Sequence, residues 1–219
     1  MDVEQARFNM IEQQIRTWEV LDQDVLSILS VVKREDFVPP GRASLAFVDT
    51  EVPLPGGQSM LSPKVEARLL QELALQKHER VLEIGAGSGH MAALLAQRAR
   101  HVTSLEILPE LVAFASGNLR RAWVGNVDVI QADGSAATLP DEGPFDAIVL
   151  SGSVAALPPS LLARLKPGGR LAAIVGQLPV MHAVLATRAA DGAGHAAVEL
   201  FDTVAPRLSG FPEPSTFRF

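Results

Sequence analysis

The sequence contains no cysteine. That excludes disulfides, thiolate zinc sites and a cysteine nucleophile, and makes a reducing cytoplasm the simpler setting. Positive charge is scarce as well: 19 Lys and Arg stand against 25 Asp and Glu, for a formal net charge of −6. Such a balance argues against general electrostatic binding to DNA or RNA. No apolar run is long enough to span a bilayer, so no membrane partner is expected. The opening Met1-Asp2-Val3-Glu4-Gln5 is too polar and acidic for a signal peptide. There is no Gly-x-Ser-x-Gly elbow and no phosphate-binding loop of the Walker type. His78, His90, His101, His182 and His195 lack the i, i+4 spacing of a helical metal pair and read as surface or core residues, with His90 near any pocket at the glycine turn. Neither a hydrolase triad nor a metal centre is supported.

The 219 residues suit one domain over 1–219, with N-terminal helices and a loop over 1–78 and an α/β core over 79–219. Helical spacing runs from about residue 4 to 35, through Phe8, Ile11 and Ile15 and then Val25, Leu26, Leu29 and Val32, with Asp22 or Asp24 as a cap. Prolines and glycines between Phe37 and Gly57 predict a loop that wraps over something. Ser62-Pro63 predicts a helix start running through Leu75. Strands are expected near 80–84, 101–105, 127–131, 145–150, 170–175 and 196–204, and helices near 89–99, 109–121, 159–166 and 179–187. Lys166-Pro167-Gly168-Gly169-Arg170 reads as a sharp helix-to-strand turn. The fold class is α/β, a doubly wound sheet with an N-terminal helical extension.

The most informative stretch is Val81-Leu82-Glu83-Ile84-Gly85-Ala86-Gly87-Ser88-Gly89-His90. An apolar strand ends in alternate glycines and meets a helix, the setting in which an α/β sheet binds a nucleotide-like ligand. A dinucleotide fingerprint would place its third glycine where His90 stands; here it comes one residue early, at Gly89. With Glu83 inside the strand, the pattern resembles motif I of the class I S-adenosylmethionine-dependent methyltransferases, which implies a Rossmann-like sheet and that cofactor. The expected binding set is Glu83, Gly85, Ala86, Gly87 and Gly89 at the turn, Glu106 and Ile107 after the next strand, and Asp133 and Gly134 after the third. Glu106 would accept the ribose hydroxyls and Asp133 the adenine amino group, with Gly134 leaving room for the ring and Ser59 at the methionine end.

A narrower resemblance lies outside the glycine turn. Ala46-Phe47-Val48-Asp49-Thr50-Glu51-Val52-Pro53-Leu54-Pro55 followed by Gly57-Gln58-Ser59-Met60-Leu61-Ser62-Pro63 resembles the protein-L-isoaspartate O-methyltransferases. Met10-Ile11-Glu12-Gln13-Gln14-Ile15, Asp36-Phe37-Val38-Pro39, Gly143-Pro144-Phe145-Asp146-Ala147-Ile148 and Arg170-Leu171-Ala172-Ala173-Ile174-Val175-Gly176 extend it over nearly the whole chain. The resemblance implies methylation of isoaspartyl carboxylates in damaged proteins or peptides, with Pro53, Leu54 and Pro55 along the peptide groove.

One position departs from the pattern. The family's catalytic serine falls at Leu61, with Ser59 and Ser62 as the neighbouring hydroxyls. Phe47 replaces the family tyrosine, and Thr17-Trp18-Glu19-Val20 replaces its usual Arg-Gly-Ile. An isoaspartyl carboxylate, with a reference pKa of about 4, is already ionised and needs no general base. The serine would therefore orient rather than activate it, and losing one hydrogen bond to a charged group costs about 1.5–3 kcal/mol. Impaired isoaspartyl turnover is the expectation. The alternatives are a different carboxylate or hydroxyl acceptor, or a cofactor-binding pseudoenzyme that acts by association. A nicotinamide-dependent oxidoreductase fits the glycine spacing poorly.

Overall fold

The computed structural model describes residues 2–213. Among them, α1 (Val3–Met10) runs into a wider π-type turn (Ile11–Ile15), and α2 (Gln23–Val31) follows. Asp22 caps α2, its carboxylate accepting from the backbone N–H groups of Asp24 and Val25. The proline-rich segment folds into short 3₁₀ turns and a small hairpin, β1 (Val52–Pro53) with β2 (Ser59–Met60). α3 (Pro63–Leu73) begins with proline in its first turn, as the sequence predicts, although Ser62 makes no side-chain cap bond.

The alternating core then runs β3 (Arg80–Ile84), α4 (His90–Ala96), β4 (His101–Glu106), α5 (Pro109–Arg121), β5 (Val127–Gln131), β6 (Phe145–Val154), α6 (Pro159–Leu162), β7 (Leu165–Gln177), β8 (Val180–Arg188) and β9 (His195–Thr203). Seven of these strands form one sheet in the order β5-β4-β3-β6-β7-β8-β9. Pairing is parallel from β5 to β7 and antiparallel from β7 to β9. Because the chain returns to pair β6 beside β3, the strand order reverses between them. The carboxyl ends of those two strands thus open a crevice where doubly wound sheets bind ligands.

Alternation along β3 sends Val81 into a core shared with α2, α3 and α4, and Leu82 and Ile84 into a second core on the opposite face. The second core includes Phe145, Leu162 and Phe211. No helix among the described residues is long and apolar enough to cross a membrane.

Three local expectations are corrected. Residues 179–187 are strand, not helix: β8 pairs with β7 from Arg170↔Thr187 to Gln177↔Val180. Met181 and Ala183 are buried in the first core and Leu185 packs against it, a period of two that outweighs the helical reading. The helix expected over 159–166 is only one turn, and Lys166–Gly169 is an irregularity inside β7, between the pairs Phe145↔Leu165 and Ala147↔Arg170. Phe8 is 59% exposed, so the inward face of α1 is made by Arg7 and Met10 instead. Arg7 is held there by ion pairs with Glu4 and Glu35.

Candidate active site

The crevice beside β3 is a cleft at the carboxyl ends of β3, β4 and β6. Its walls include Gly85, Gly87, Glu106, Ile107, Asp133 and Gly134 from the predicted set, together with Ser59. Gly85 and Gly87 have φ of +91° and +53°, a region that side chains other than glycine's rarely enter. The backbone N–H of Gly85 is tied to the Leu105 carbonyl at 2.8 Å, which fixes the turn to β4.

Glu106, the last residue of β4, braces the same turn. Its Oε2 accepts from Gly87 N at 2.9 Å and its Oε1 from Leu108 N at 3.0 Å. A carboxylate has about four lone-pair sites, so each oxygen keeps one for a ligand hydroxyl. Asp133 uses Oδ1 for the backbone N–H and hydroxyl of Ser135, at 2.8 and 2.6 Å, and Oδ2 takes no donor among the described residues.

Two glycines of the expected set also serve packing. A Cβ on Gly134 would lie 2.4 Å from Ile84 Cγ2, so this glycine makes room for a strand side chain as well as lining the cleft. Gly89 stands at the start of α4, where a Cβ would meet the Ala115 carbonyl of α5 at 3.2 Å. It is a helix-packing position and does not line the cleft.

A second, smaller cavity of ≈ 250 Å³ adjoins the first and shares Ser59, Gly85, Gly87 and Ser151 with it. Leu61, Glu83 and Ala86 line it, together with Met60, Glu66, Ser88 and Met91. Leu61 is 4% exposed and joins the first core. Glu83 is fully buried and accepts from the Ser104 and Ser151 hydroxyls at 2.5 and 2.8 Å. Burial raises its pKa to about 8, against the lowering effect of the two serines, so at neutral pH it is largely protonated. Ser62 lies outside both cavities. Leu54 packs on the glycine turn, its Cδ1 3.2 Å from where a Cβ on Gly87 would stand, while Pro53 and Pro55 are exposed.

Several wall residues escape the sequence reading. Ser151 ends the straight part of β6, a position facing the switch point, so the strand pattern could have flagged it. Leu208 and Ser209 come from the segment after β9, where no motif marks them. Hydrogen bonds of Ser153 N to the Pro206 carbonyl and of Leu208 N to the Ser153 carbonyl hold that segment against β6. Leu208 then covers Gly85, its Cδ2 2.9 Å from where a Cβ on that glycine would stand. Arg34, Glu66 and His90 form a buried polar cluster behind the smaller cavity.

The model of the family described as Protein-L-isoaspartate(D-aspartate) O-methyltransferase matches residues 5–200. A protein-L-isoaspartate O-methyltransferase of Methanoculleus marisnigri is 40% identical over 170 residues, covering 78% of this chain and 77% of its own. One from Rhodopseudomonas palustris is 41% identical over 167 residues, 76% of each chain. Among solved structures, a Plasmodium falciparum protein-L-isoaspartate O-methyltransferase in complex with S-adenosyl-L-homocysteine matches with a TM-score of 0.80 at 21% identity. That match covers 95% of this chain and 99% of the other, and supports the fold.

Proposed function

The chain belongs to the protein-L-isoaspartate(D-aspartate) O-methyltransferase family, and on that premise we propose that it methylates isoaspartyl carboxylates in proteins, starting their repair through a succinimide. The observation that carries the reading is the cleft itself: glycine backbone after β3, a carboxylate ending β4 and another just past β5, all lining one cleft. Bound there, S-adenosylmethionine supplies a methyl group on a positively charged sulfur.

The residues divide the binding among them. Gly85 and Gly87 offer bare backbone. Glu106 uses its two remaining lone pairs for the ribose hydroxyls, and Asp133 offers Oδ2 to the adenine amino group. Ile107, 41% exposed at the cleft wall, gives the ring an apolar neighbour. Gln58 and Ser59 line the cleft on the side of the smaller cavity, where the methionine end belongs. Glu83 and Ala86 back the glycine turn from that same cavity.

The acceptor enters by the smaller cavity. Its carboxylate arrives ionised, so the protein has to align oxygen, methyl and sulfur and exclude water. Leu61 excludes water but offers no hydrogen bond. Ser59 lines both cavities and its hydroxyl has no partner among the described residues, which makes it the group left to orient the carboxylate. Ser62 lines neither cavity. Leu54 and the exposed Pro53 and Pro55 form the edge along which a peptide lies. The cysteine-free, acidic composition supports a cytoplasmic setting and protein rather than nucleic-acid partners.

The test is methyl transfer from labelled S-adenosylmethionine to an isoaspartyl peptide and to its aspartyl twin, with cofactor affinity measured by calorimetry on the same preparation. Transfer to the isoaspartyl form alone is the expected result. Cofactor binding without transfer overturns the acceptor. The buried Leu61 favours, as the second reading, a different carboxylate or hydroxyl acceptor, which a panel of small acids and alcohols would reveal.

A further inference from the structure

Behind the smaller cavity three polar side chains meet with almost no water. Arg34, Glu66 and His90 are 2%, 3% and 1% exposed. Arg34 Nη1 pairs with Glu66 Oε2, and His90 Nδ1 lies 2.8 Å from the same oxygen. Arg34 Nη2 donates to the Leu61 carbonyl at 2.7 Å. Burial opposes the charge on Glu66, but the Arg34 guanidinium and His90 outweigh it and hold its pKa below the usual carboxylate range.

The tautomer of His90 follows from this geometry. Nδ1 lies 2.8 Å from Glu66 Oε2, which only accepts, and 3.2 Å from Arg34 Nη1, which only donates. Nη1 gives its hydrogen to the same carboxylate oxygen, and the closer, charged acceptor places a proton on Nδ1. Nε2 has no hydrogen-bond partner among the described residues. A buried ring that leaves one nitrogen unsatisfied gives up solvation, which is tolerated where the other nitrogen holds something in place.

The three residues belong to three different parts of the site. Arg34 lies in the turn after α2, and Glu66 is in α3, directly after the acceptor segment. His90 opens α4, directly after the glycine turn, where its own N–H is 3.3 Å from the Ser88 hydroxyl. Through Leu61 the cluster reaches the backbone of residues 59–61, which line the smaller cavity. We propose that Arg34, Glu66 and His90 are positioning residues that lock the acceptor wall against the cofactor turn. With Leu61 in place of a hydroxyl, reaction depends on the placement of Ser59 and of the wall around it, and a shift of about 1 Å is enough to cost on the order of a hundredfold in rate.

The proposal rests on the isoaspartyl reading, and its test separates the two. Glu66→Gln strands a buried arginine and endangers folding, so the informative variants are at His90. His90→Phe keeps a planar ring of somewhat larger volume and removes the donor. His90→Asn returns an N–H near the place of Nδ1. Each is compared with wild type for S-adenosylhomocysteine affinity, for kcat and KM with an isoaspartyl peptide, and for amide hydrogen exchange over residues 58–62 in the S-adenosylhomocysteine complex. In His90→Phe we expect kcat to fall about ten- to a hundredfold. The same variant should keep S-adenosylhomocysteine affinity within about threefold and exchange faster over 58–62, and His90→Asn should recover most of both losses. Unchanged kcat and exchange in His90→Phe overturn the proposal, as does a loss of activity that merely tracks lost cofactor affinity. A wild type that leaves the peptide unmethylated refutes the acceptor assignment instead, and the exchange readout then decides the positioning role: unchanged protection in His90→Phe overturns it.

Discussion

Leu61 puts four apolar carbons into the wall of the smaller cavity, by which the acceptor is proposed to enter, and on that reading the chemistry there is orientation without its hydrogen bond. Leu61→Ser should raise kcat/KM for an isoaspartyl peptide about ten- to a hundredfold, the worth of one hydrogen bond to a charged group. The same change removes a side chain that is 4% exposed and should cost about 2–4 kcal/mol of stability, read as a lower urea midpoint. A variant that loses stability and gains no activity would show that Ser59 already does the orienting. On the donor side, Glu106→Ala removes the proposed acceptor for both ribose hydroxyls and one brace of the glycine turn. S-adenosylhomocysteine affinity should fall by at least about tenfold by calorimetry, and an unchanged affinity would move the ribose elsewhere. The place of Glu106 and Asp133 on the cleft wall was legible because strand ends in a doubly wound sheet are positions of known direction. Arg34, Glu66 and His90 were not, since they stand 24 to 56 residues apart and meet only through tertiary packing.

Elements were legible where local chemistry and burial agree. Asp22 before an apolar repeat announces α2, and the carboxylate does accept from two N–H groups at the helix start. Asp22→Ala should lower stability by about 0.5–2 kcal/mol in urea titration and leave cofactor affinity unchanged. β8 shows the opposite case. Pro179-Val180-Met181-His182-Ala183-Val184-Leu185 carries apolar residues at both helical and alternate spacing, and pairing with eight residues of β7 decides for strand. A long-range hydrogen-bond ladder is invisible to a local window. Gly134 couples element to site in a way its sequence setting does not suggest. Gly134→Ala would drive a Cβ to 2.4 Å from the Ile84 side chain at the end of β3. Overpacking of that kind costs about 1–3 kcal/mol and should displace the turn that follows, so melting temperature and S-adenosylhomocysteine affinity should fall together. A variant with lowered melting temperature and intact affinity would disconnect Ile84 from the glycine turn.

Across the whole molecule, the reversal of strand order between β3 and β6 forces the cleft to its place, and the cleft in turn sets an electrostatic condition on the fold. Glu83 lies under the glycine turn on the face of the sheet covered by α3 and α4, beside Ser104 of β4 and Ser151 of β6. Its carboxyl has an ordinary value of 4.5 and, through burial, a folded value of about 8. Between those values the folded protein keeps a proton that the unfolded chain has released, so raising the pH favours unfolding. The contribution is fully present below pH ~4.5, declines as pH rises toward ~8 and is spent above it. Glu83→Gln reproduces the protonated state, since an amide can donate to one serine oxygen and accept from the other hydroxyl. Urea midpoints at pH 5 and pH 8.5 should therefore diverge more in wild type than in Glu83→Gln, with the variant the more stable of the two at the higher pH. Equal pH dependence in both would place the charged carboxylate in the folded state, solvated by its two serines, and the strand beneath the cofactor turn would then carry a fixed negative charge.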